Sequence, residues 1–169
     1  MRVSLMGQAA FGEAVLKKLL EEGVELAGVS APAPAGDRKD PLWAAAEAAN
    51  LPVVATPSLK TPEGQAAWAA LNAELCVMAF VTDIIPNAVL QLPPKGTIQY
   101  HPSLLPLHRG SSAMNWPIIN GETETGLSIF WPDQGIDTGP ILLQKSTPIG
   151  PDDTMGNLYF NNLFGMGVD

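Results

Sequence analysis

The sequence predicts an α/β fold: an open, mostly parallel, Rossmann-like sheet with helices on both faces. Three observations predict it. Short apolar runs alternate with segments of helical periodicity along most of the chain. One run, Leu75-Cys76-Val77-Met78-Ala79-Phe80, is apolar at every position, as expected of a parallel strand covered on both faces. Glycine or proline stands at most of the joints between these segments, where turns and helix ends need them.

In chain order, residues 2–6 form an apolar run that ends in Gly7 and reads as a strand and turn. Residues 11–22 place Phe11, Val15, Leu16, Leu19 and Leu20 at helical spacing before Gly23, and residues 24–29 read as the second strand of a βαβ unit. Residues 31–40, rich in proline and charge, are a surface loop. Pro41 opens a helix through Leu42, Trp43, Ala45, Ala46 and Ala49, which Asn50 and Pro52 end. A strand at 53–55, a helix at 62–72 and the apolar strand at 75–80 follow, the last placed inside the sheet. Beyond them come a short helix at 86–90, a strand at 96–100, a helix at 113–120, strands at 125–131 and 141–147, and a helix starting at Asp153. Residues 163–169 carry no cap, which suggests that the natural chain continues or that its end is not ordered.

Composition excludes several classes. With 46% hydrophobic and 15% charged residues, the chain can bury a full core and is not disordered. A net charge of −8 repels polyphosphate, so nucleic acid is a poor partner for this segment. No apolar stretch reaches the ~18 residues of a membrane helix, and residues 1–6 lack the features of a signal peptide; a cytoplasmic location and no membrane partner are expected. One cysteine and two histidines make no disulfide framework and no metal-ligand cluster, so no metal is expected.

Functional residues in such a fold belong just beyond the carboxyl ends of strands. The turn Gly7-Gln8-Ala9-Ala10-Phe11-Gly12 follows a strand and opens a helix. It lacks the middle glycine of the dinucleotide fingerprint and reads either as an anion site at the helix amino end or as a plain turn. The segment Gln99-Tyr100-His101-Pro102-Ser103 is more informative. Gln99 and His101 are two apart on an extended strand and so share a face, and Pro102 keeps His101 extended. An imidazole moves protons near neutral pH, and a carboxamide donates to an oxygen gaining charge. A lone histidine at a strand end also serves simply to satisfy nearby backbone groups, and the sequence alone does not decide. His108 and Arg109 are either a carboxylate or phosphate contact or two solvated loop charges. Asp133 and Asp137 share one turn-rich loop, where Asp is also a common turn former, and nothing in the pattern chooses between them.

His101-Pro102-Ser103-Leu104-Leu105-Pro106, then Arg109-Gly110, then Gly135-Ile136-Asp137-Thr138-Gly139, resembles the double signature of the formyltransferases that use 10-formyltetrahydrofolate. The resemblance extends over nearly the whole chain, through Met6-Gly7-Gln8, Phe11-Gly12, Asp40-Pro41-Leu42, Val77-Met78-Ala79-Phe80 and Ser128-Ile129-Phe130-Trp131. Within the family the chain is most similar to the branch containing the amino-terminal hydrolase domain of 10-formyltetrahydrofolate dehydrogenase. The resemblance implies a catalytic trio at Gln99, His101 and Asp137. It implies a folate pocket at Met78, Ala79, Phe80 and Val81, with Leu104 and Trp131 as apolar wall. The family has Asn where this chain has Gln99, and the extra methylene moves the amide by about 1.5 Å. The dehydrogenase branch also dispenses with Asn there.

The resemblance further implies a folate, 10-formyltetrahydrofolate, as formyl donor, with removal of the formyl group to water or an acceptor that the sequence does not name. It implies that residues 1–169 are the amino-terminal catalytic domain, with a carboxyl-terminal continuation. Two alternatives stand beside that reading. One is transfer to an initiator methionyl-tRNA, against which the charge of −8 argues. The other is a folate-binding module without turnover, for which Gln99 would be the sign of decay. An acceptor carrying phosphate would need an anion site, for which Gly7 to Gly12 is the candidate.

Overall fold

The computed structural model describes residues 1–169. Its seven strands are β1 (Arg2–Gly7), β2 (Glu25–Ala31), β3 (Val53–Ala55), β4 (Leu75–Ala79), β5 (Thr97–His101), β6 (Glu124–Phe130) and β7 (Ile141–Pro148). They line up in the order β3-β2-β1-β4-β5-β6-β7, so the all-apolar β4 holds the middle place expected of it. The chain divides into two compact units, Met1–Ile98 and Gln99–Asp169, and the division falls within β5.

In the first unit, β1 pairs in parallel with both β2 and β4, and β2 with β3. The connecting helices are α1 (Ala9–Glu21), α2 (Pro41–Ala48), α3 (Pro62–Ala70) and α4 (Asn87–Leu90). Side chains alternate along β1, so Leu5 and Met6 serve opposite faces. Met6, Cys76 and Met78 pack with Trp68, Leu71, Val89 and Leu90 of the α3 and α4 region. On the opposite face, α1 and α2 pack together over the sheet and bury Phe11, Val15, Leu16, Leu42 and Ala46. Two covered faces explain why β4 has no polar side. A short 3-10 turn at Thr56–Lys60, which the periodicity does not announce, is started by Pro57 and held by the Ser58 hydroxyl donating to the Ala55 carbonyl at 2.6 Å.

The second unit is antiparallel. β5 pairs with β6 through Gln99↔Phe130 and His101↔Ser128, and β6 pairs with β7. β7 is the last strand of the sheet, and seven of its eight residues are exposed, including Ile141, Leu142 and Leu143. The helix expected at 113–120 is reduced to α5 (Asn115–Ile119). Pro117 has no N–H to bond back to the Ala113 carbonyl, which shortens the regular helix at its start, and the left-handed turn at Gly121 (φ 69°) ends it. The helix expected from Asp153 begins at α6 (Met155–Leu158), where the Thr154 hydroxyl accepts from the Asn157 N–H. It continues through a wider turn at Tyr159–Leu163 into α7 (Phe164–Val168), so the last residues are helical nearly to the end.

Gly7 joins β1 to β4 at their carboxyl ends. A Cβ there would lie 2.5 Å from the Ala79 carbonyl oxygen, a backbone atom that cannot swing aside. Gly7→Ala should therefore destabilise the protein by about 1–3 kcal/mol. Gly165→Ala, with nothing within 4 Å of the added methyl, should gain up to about 1 kcal/mol. Urea denaturation of the two variants measures both, and equal midpoints would refute the close approach.

Burial pushes the Cys76 thiol up from 9.0 to about 12, outweighing hydrogen bonds with Ser4 and Thr97. The folded state thus prefers the neutral thiol, while the unfolded chain ionises it near its ordinary value. The contribution to stability is complete below pH 9 and drains away as pH rises from 9 towards 12. Denaturation midpoints followed across that window should fall less steeply for Cys76→Ala than for the parent, whatever the difference in level at pH 7.

Candidate active site

The site is built at the end of β5. Gln99 and His101 project to one face of the strand, with Tyr100 between them on the other. His101 is 5% exposed. Its Nε2 lies 2.9 Å from the carbonyl oxygen of His108, which can only accept, so Nε2 carries a proton and donates. Its Nδ1 lies 3.4 Å from Oδ2 of Asp137. Both ring nitrogens thus face oxygen atoms. The Gln99 side chain is half-buried, and its amide makes no hydrogen bond within the chain.

Asp137 is placed by the loop that follows β6. The Gly110 N–H donates to its Oδ2 at 2.8 Å, and Nε of Arg109 donates to its carbonyl at 3.0 Å. Its backbone is left-handed (φ 51°), a conformation that Asp tolerates better than most residues. Asp133, the rival in the sequence, has another task. Its Oδ1 accepts from the Thr138 hydroxyl and the Gly135 N–H, and the Thr138 bond chiefly holds its carboxyl below the usual range. It closes the turn, and Asp137 is the carboxylate that faces His101. Gly139 completes the loop, since a Cβ there would meet the Trp131 carbonyl oxygen at 1.7 Å.

The segment after β5 is held by one buried hydroxyl. Ser128 Oγ donates to the Ser103 carbonyl at 2.7 Å, accepts from the Leu105 N–H at 3.0 Å, and lies 2.8 Å from Nε2 of Gln144, which also donates to the Leu105 carbonyl. Ser103 Oγ in turn donates to the Leu107 carbonyl at 2.6 Å. His108 follows in left-handed backbone (φ 52°), a state costing about 1–2 kcal/mol for a residue with a Cβ. Its ring Nε2 is 3.0 Å from both Glu122 oxygens. His108 is therefore engaged inside the protein, so its ring is neither of the two things the sequence offered, an anion contact or a solvated loop charge.

In the first unit, Met78 and Ala79 are buried in β4, while Phe80 and Val81 are half-buried just past its end. The left-handed backbone of Phe80 (φ 58°) turns the chain off the sheet at the strand's carboxyl end. In the second unit, Leu104 and Trp131 are half-buried, and a Cβ added at Gly126 would meet Leu104 Cδ2 at 2.7 Å.

Of the two sequence readings of the turn after β1, the contacts favour a turn closed within the protein over an anion site. The Ala9 N–H, at the amino end of α1, points at Asp40, whose two oxygens lie at 3.0 and 2.9 Å. Asp40 Oδ1 also accepts from the Leu42 N–H and caps α2. The position left open for a substrate anion is filled by the protein's own carboxylate. Periodicity misses the parts played by Asp40, Glu122 and Gln144. The one available signal was Ser128, a polar residue set in the apolar run Leu127-Ser128-Ile129-Phe130.

A family model described as formyl transferase matches residues 1–163. The chain belongs to the formyl transferase family. It is 43% identical, over 99% of its length, to the mitochondrial 10-formyltetrahydrofolate dehydrogenase of Mus musculus, of which it covers 19%. It is 38% identical to a methionyl-tRNA formyltransferase of Syntrophus aciditrophicus, covering 55% of that protein. The chain thus spans about a fifth of the length of the dehydrogenase relatives it matches. Its fold is that of the phosphoribosylglycinamide formyltransferase of Bacillus halodurans, with a TM-score of 0.82 at 23% identity over 95% of this chain and 87% of that one. No group of three or more His, Cys, Asp or Glu side chains in this formyl transferase chain is arranged to hold a metal ion, and no helix is long and apolar enough to cross a membrane.

Asp40→Ala removes an acceptor from two helix starts at once and should lower stability by about 1–3 kcal/mol. Inorganic phosphate should restore part of the loss by binding the freed Ala9 N–H, and should leave the parent's melting temperature unchanged. An equal phosphate response in both proteins would show that Asp40 does not occupy this position.

Proposed function

We propose that this chain removes the formyl group from 10-formyltetrahydrofolate and passes it to water or to an acceptor, with Gln99, His101 and Asp137 as the catalytic groups. The observation that carries the reading is the facing pair His101 and Asp137, with the uncommitted Gln99 amide on the same strand face, in a member of the formyl transferase family.

His101 Nε2 is committed to the His108 carbonyl, so Nδ1 is the nitrogen free to serve substrate. Its 3.4 Å separation from Asp137 is longer than the ~2.7–2.9 Å of a tight charge-assisted bond. The proton between them can therefore be shared with a third group. In the hydrolytic reaction a water oxygen forms a bond to the formyl carbon. Asp137 takes the proton released, and the oxyanion receives hydrogen bonds from Gln99 and from His101 Nδ1–H. The bond from the carbon to N10 of the folate then breaks, the proton passes to N10, and formate and tetrahydrofolate leave. Met78, Ala79, Phe80 and Val81 would hold the pterin edge through backbone groups, and Leu104 and Trp131 would supply apolar contact.

The reading takes residues 1–169 as the catalytic amino-terminal domain of a longer chain, in keeping with relatives five times its length. It takes the cytoplasm as the site of action, which suits a single free buried thiol. The likeness to a methionyl-tRNA formyltransferase keeps an aminoacyl-tRNA as a second acceptor, but the net charge of −8 favours a small one.

His101→Ala and Asp137→Ala should each lower formate release from 10-formyltetrahydrofolate by at least about 10²–10³-fold while a folate analogue still binds. Near-parental turnover in both would overturn the assignment. Gln99→Asn should keep or raise transfer to an amine acceptor, and Gln99→Leu should lose rate if the amide serves the oxyanion. An unchanged ratio of hydrolysis to transfer in both would remove position 99 from the reacting carbonyl.

A further inference from the structure

We propose that Glu122 and His108 are a positioning pair that sets the proton arrangement of the His101 ring. The proposal deepens the reading of His101 given above and rests on it.

His101 receives its Nε2 contact from a backbone carbonyl, and that carbonyl belongs to a residue in an unfavourable left-handed conformation. Such a residue stays in place only when its surroundings hold it there. For His108 the hold is its own side chain, whose Nε2 meets both carboxylate oxygens of Glu122 at 3.0 Å. Glu122 is anchored in turn. Its N–H donates to the Pro117 carbonyl at 2.9 Å, Asn120 Nδ2 donates to its Oε1 at 3.2 Å, and Gly121 beside it takes a left-handed turn. The hydrogen bonds from His108 and Asn120 hold the Glu122 carboxyl below the usual range, so it is ionised as an acceptor.

The consequence runs from Glu122 to the reacting nitrogen. With the His108 carbonyl fixed 2.9 Å away, Nε2 keeps its proton and Nδ1 is directed to Asp137 and to substrate. Without the Glu122 contact, His108 is free to leave its left-handed state and its carbonyl turns away. Nε2 then has no fixed acceptor, so its proton is no longer confined to that nitrogen and the ring can turn Nδ1 away from Asp137 and substrate. Glu122 touches no substrate in this scheme and acts through His108 alone.

The chain contains two histidines, so the ¹⁵N resonances of both rings are assigned with a single His108→Asn variant. Glu122→Gln is close in shape and removes the charge. It should shift the His101 ring resonances towards a mixture of tautomers and lower kcat about 10-fold or more, with KM for 10-formyltetrahydrofolate and the melting temperature nearly unchanged. His108→Gly, which accepts the left-handed backbone but lacks the ring, should release His101 in the same way. His108→Asn, which tolerates that backbone and offers Glu122 an amide donor, should retain the parental His101 signals and most of kcat. Parental His101 resonances in both Glu122→Gln and His108→Gly would overturn the proposal, whatever happens to their melting temperatures. If the parent itself releases no formate, the functional reading falls, and the ring spectra still decide whether Glu122 governs His101.

Discussion

The site depends on the Ser128 hydroxyl. It is fully buried on β6 opposite His101, and it bonds the carbonyl of Ser103, the N–H of Leu105 and the amide of Gln144. Three polar groups of a chain segment that leaves the sheet thereby find partners on the next two strands. A buried N–H or C=O left without a partner costs more than a formed bond returns, so the path of the chain from Ser103 to Leu105 is fixed by this one atom. The later turns to His108 and Gly110 inherit that path. Gly110 then holds Asp137, and the His108 carbonyl holds His101. The His101 and Asp137 geometry is therefore set by hydrogen bonds to backbone rather than by contact between the two side chains alone.

The fold was largely legible in the sequence, because burial of a parallel sheet on two faces leaves a strong imprint. Leu75 to Ala79 reads as a central strand for that reason, and Phe11, Val15 and Leu16 mark α1 by their spacing. Short elements were harder to place. α5 ends at the left-handed Gly121, and the left-handed turn at Ser112 ahead of it cannot be foreseen from a serine's type. The antiparallel pairing of β5, β6 and β7 leaves no comparable imprint, and β7 is exposed along most of its length.

The candidate site was legible to the extent that chemistry depends on residue type. His101, Asp137 and Gln99 stand out as polar groups near strand ends, and the family signature distinguished Asp137 from Asp133 where local pattern could not. The supporting contacts were hidden because they join residues far apart in sequence. Asp40 reaches Ala9 across 31 positions and Gln144 reaches Leu105 across 39. Glu122 looks like any acidic residue in a turn until His108 is placed beside it. Ala9 and Asp40 also show how a helix start that resembles an anion site is closed from within.

The position of β7 bears on how the chain behaves at high concentration. A strand at the end of a sheet carries a row of unpaired N–H and C=O groups, and Ile141, Leu142 and Leu143 add exposed apolar surface to that row. Such an edge is a template on which a second chain can build a strand. Here the edge is guarded by its own sequence: Pro140 precedes the strand, Pro148 ends it and Lys145 interrupts it. Proline supplies no N–H to an incoming strand, and a lysine resists burial between two sheets. The unguarded stretch is thus confined to Ile141 through Gln144, too short to seed an extended ladder, and three residues with no part in the chemistry are what limit strand addition at this edge.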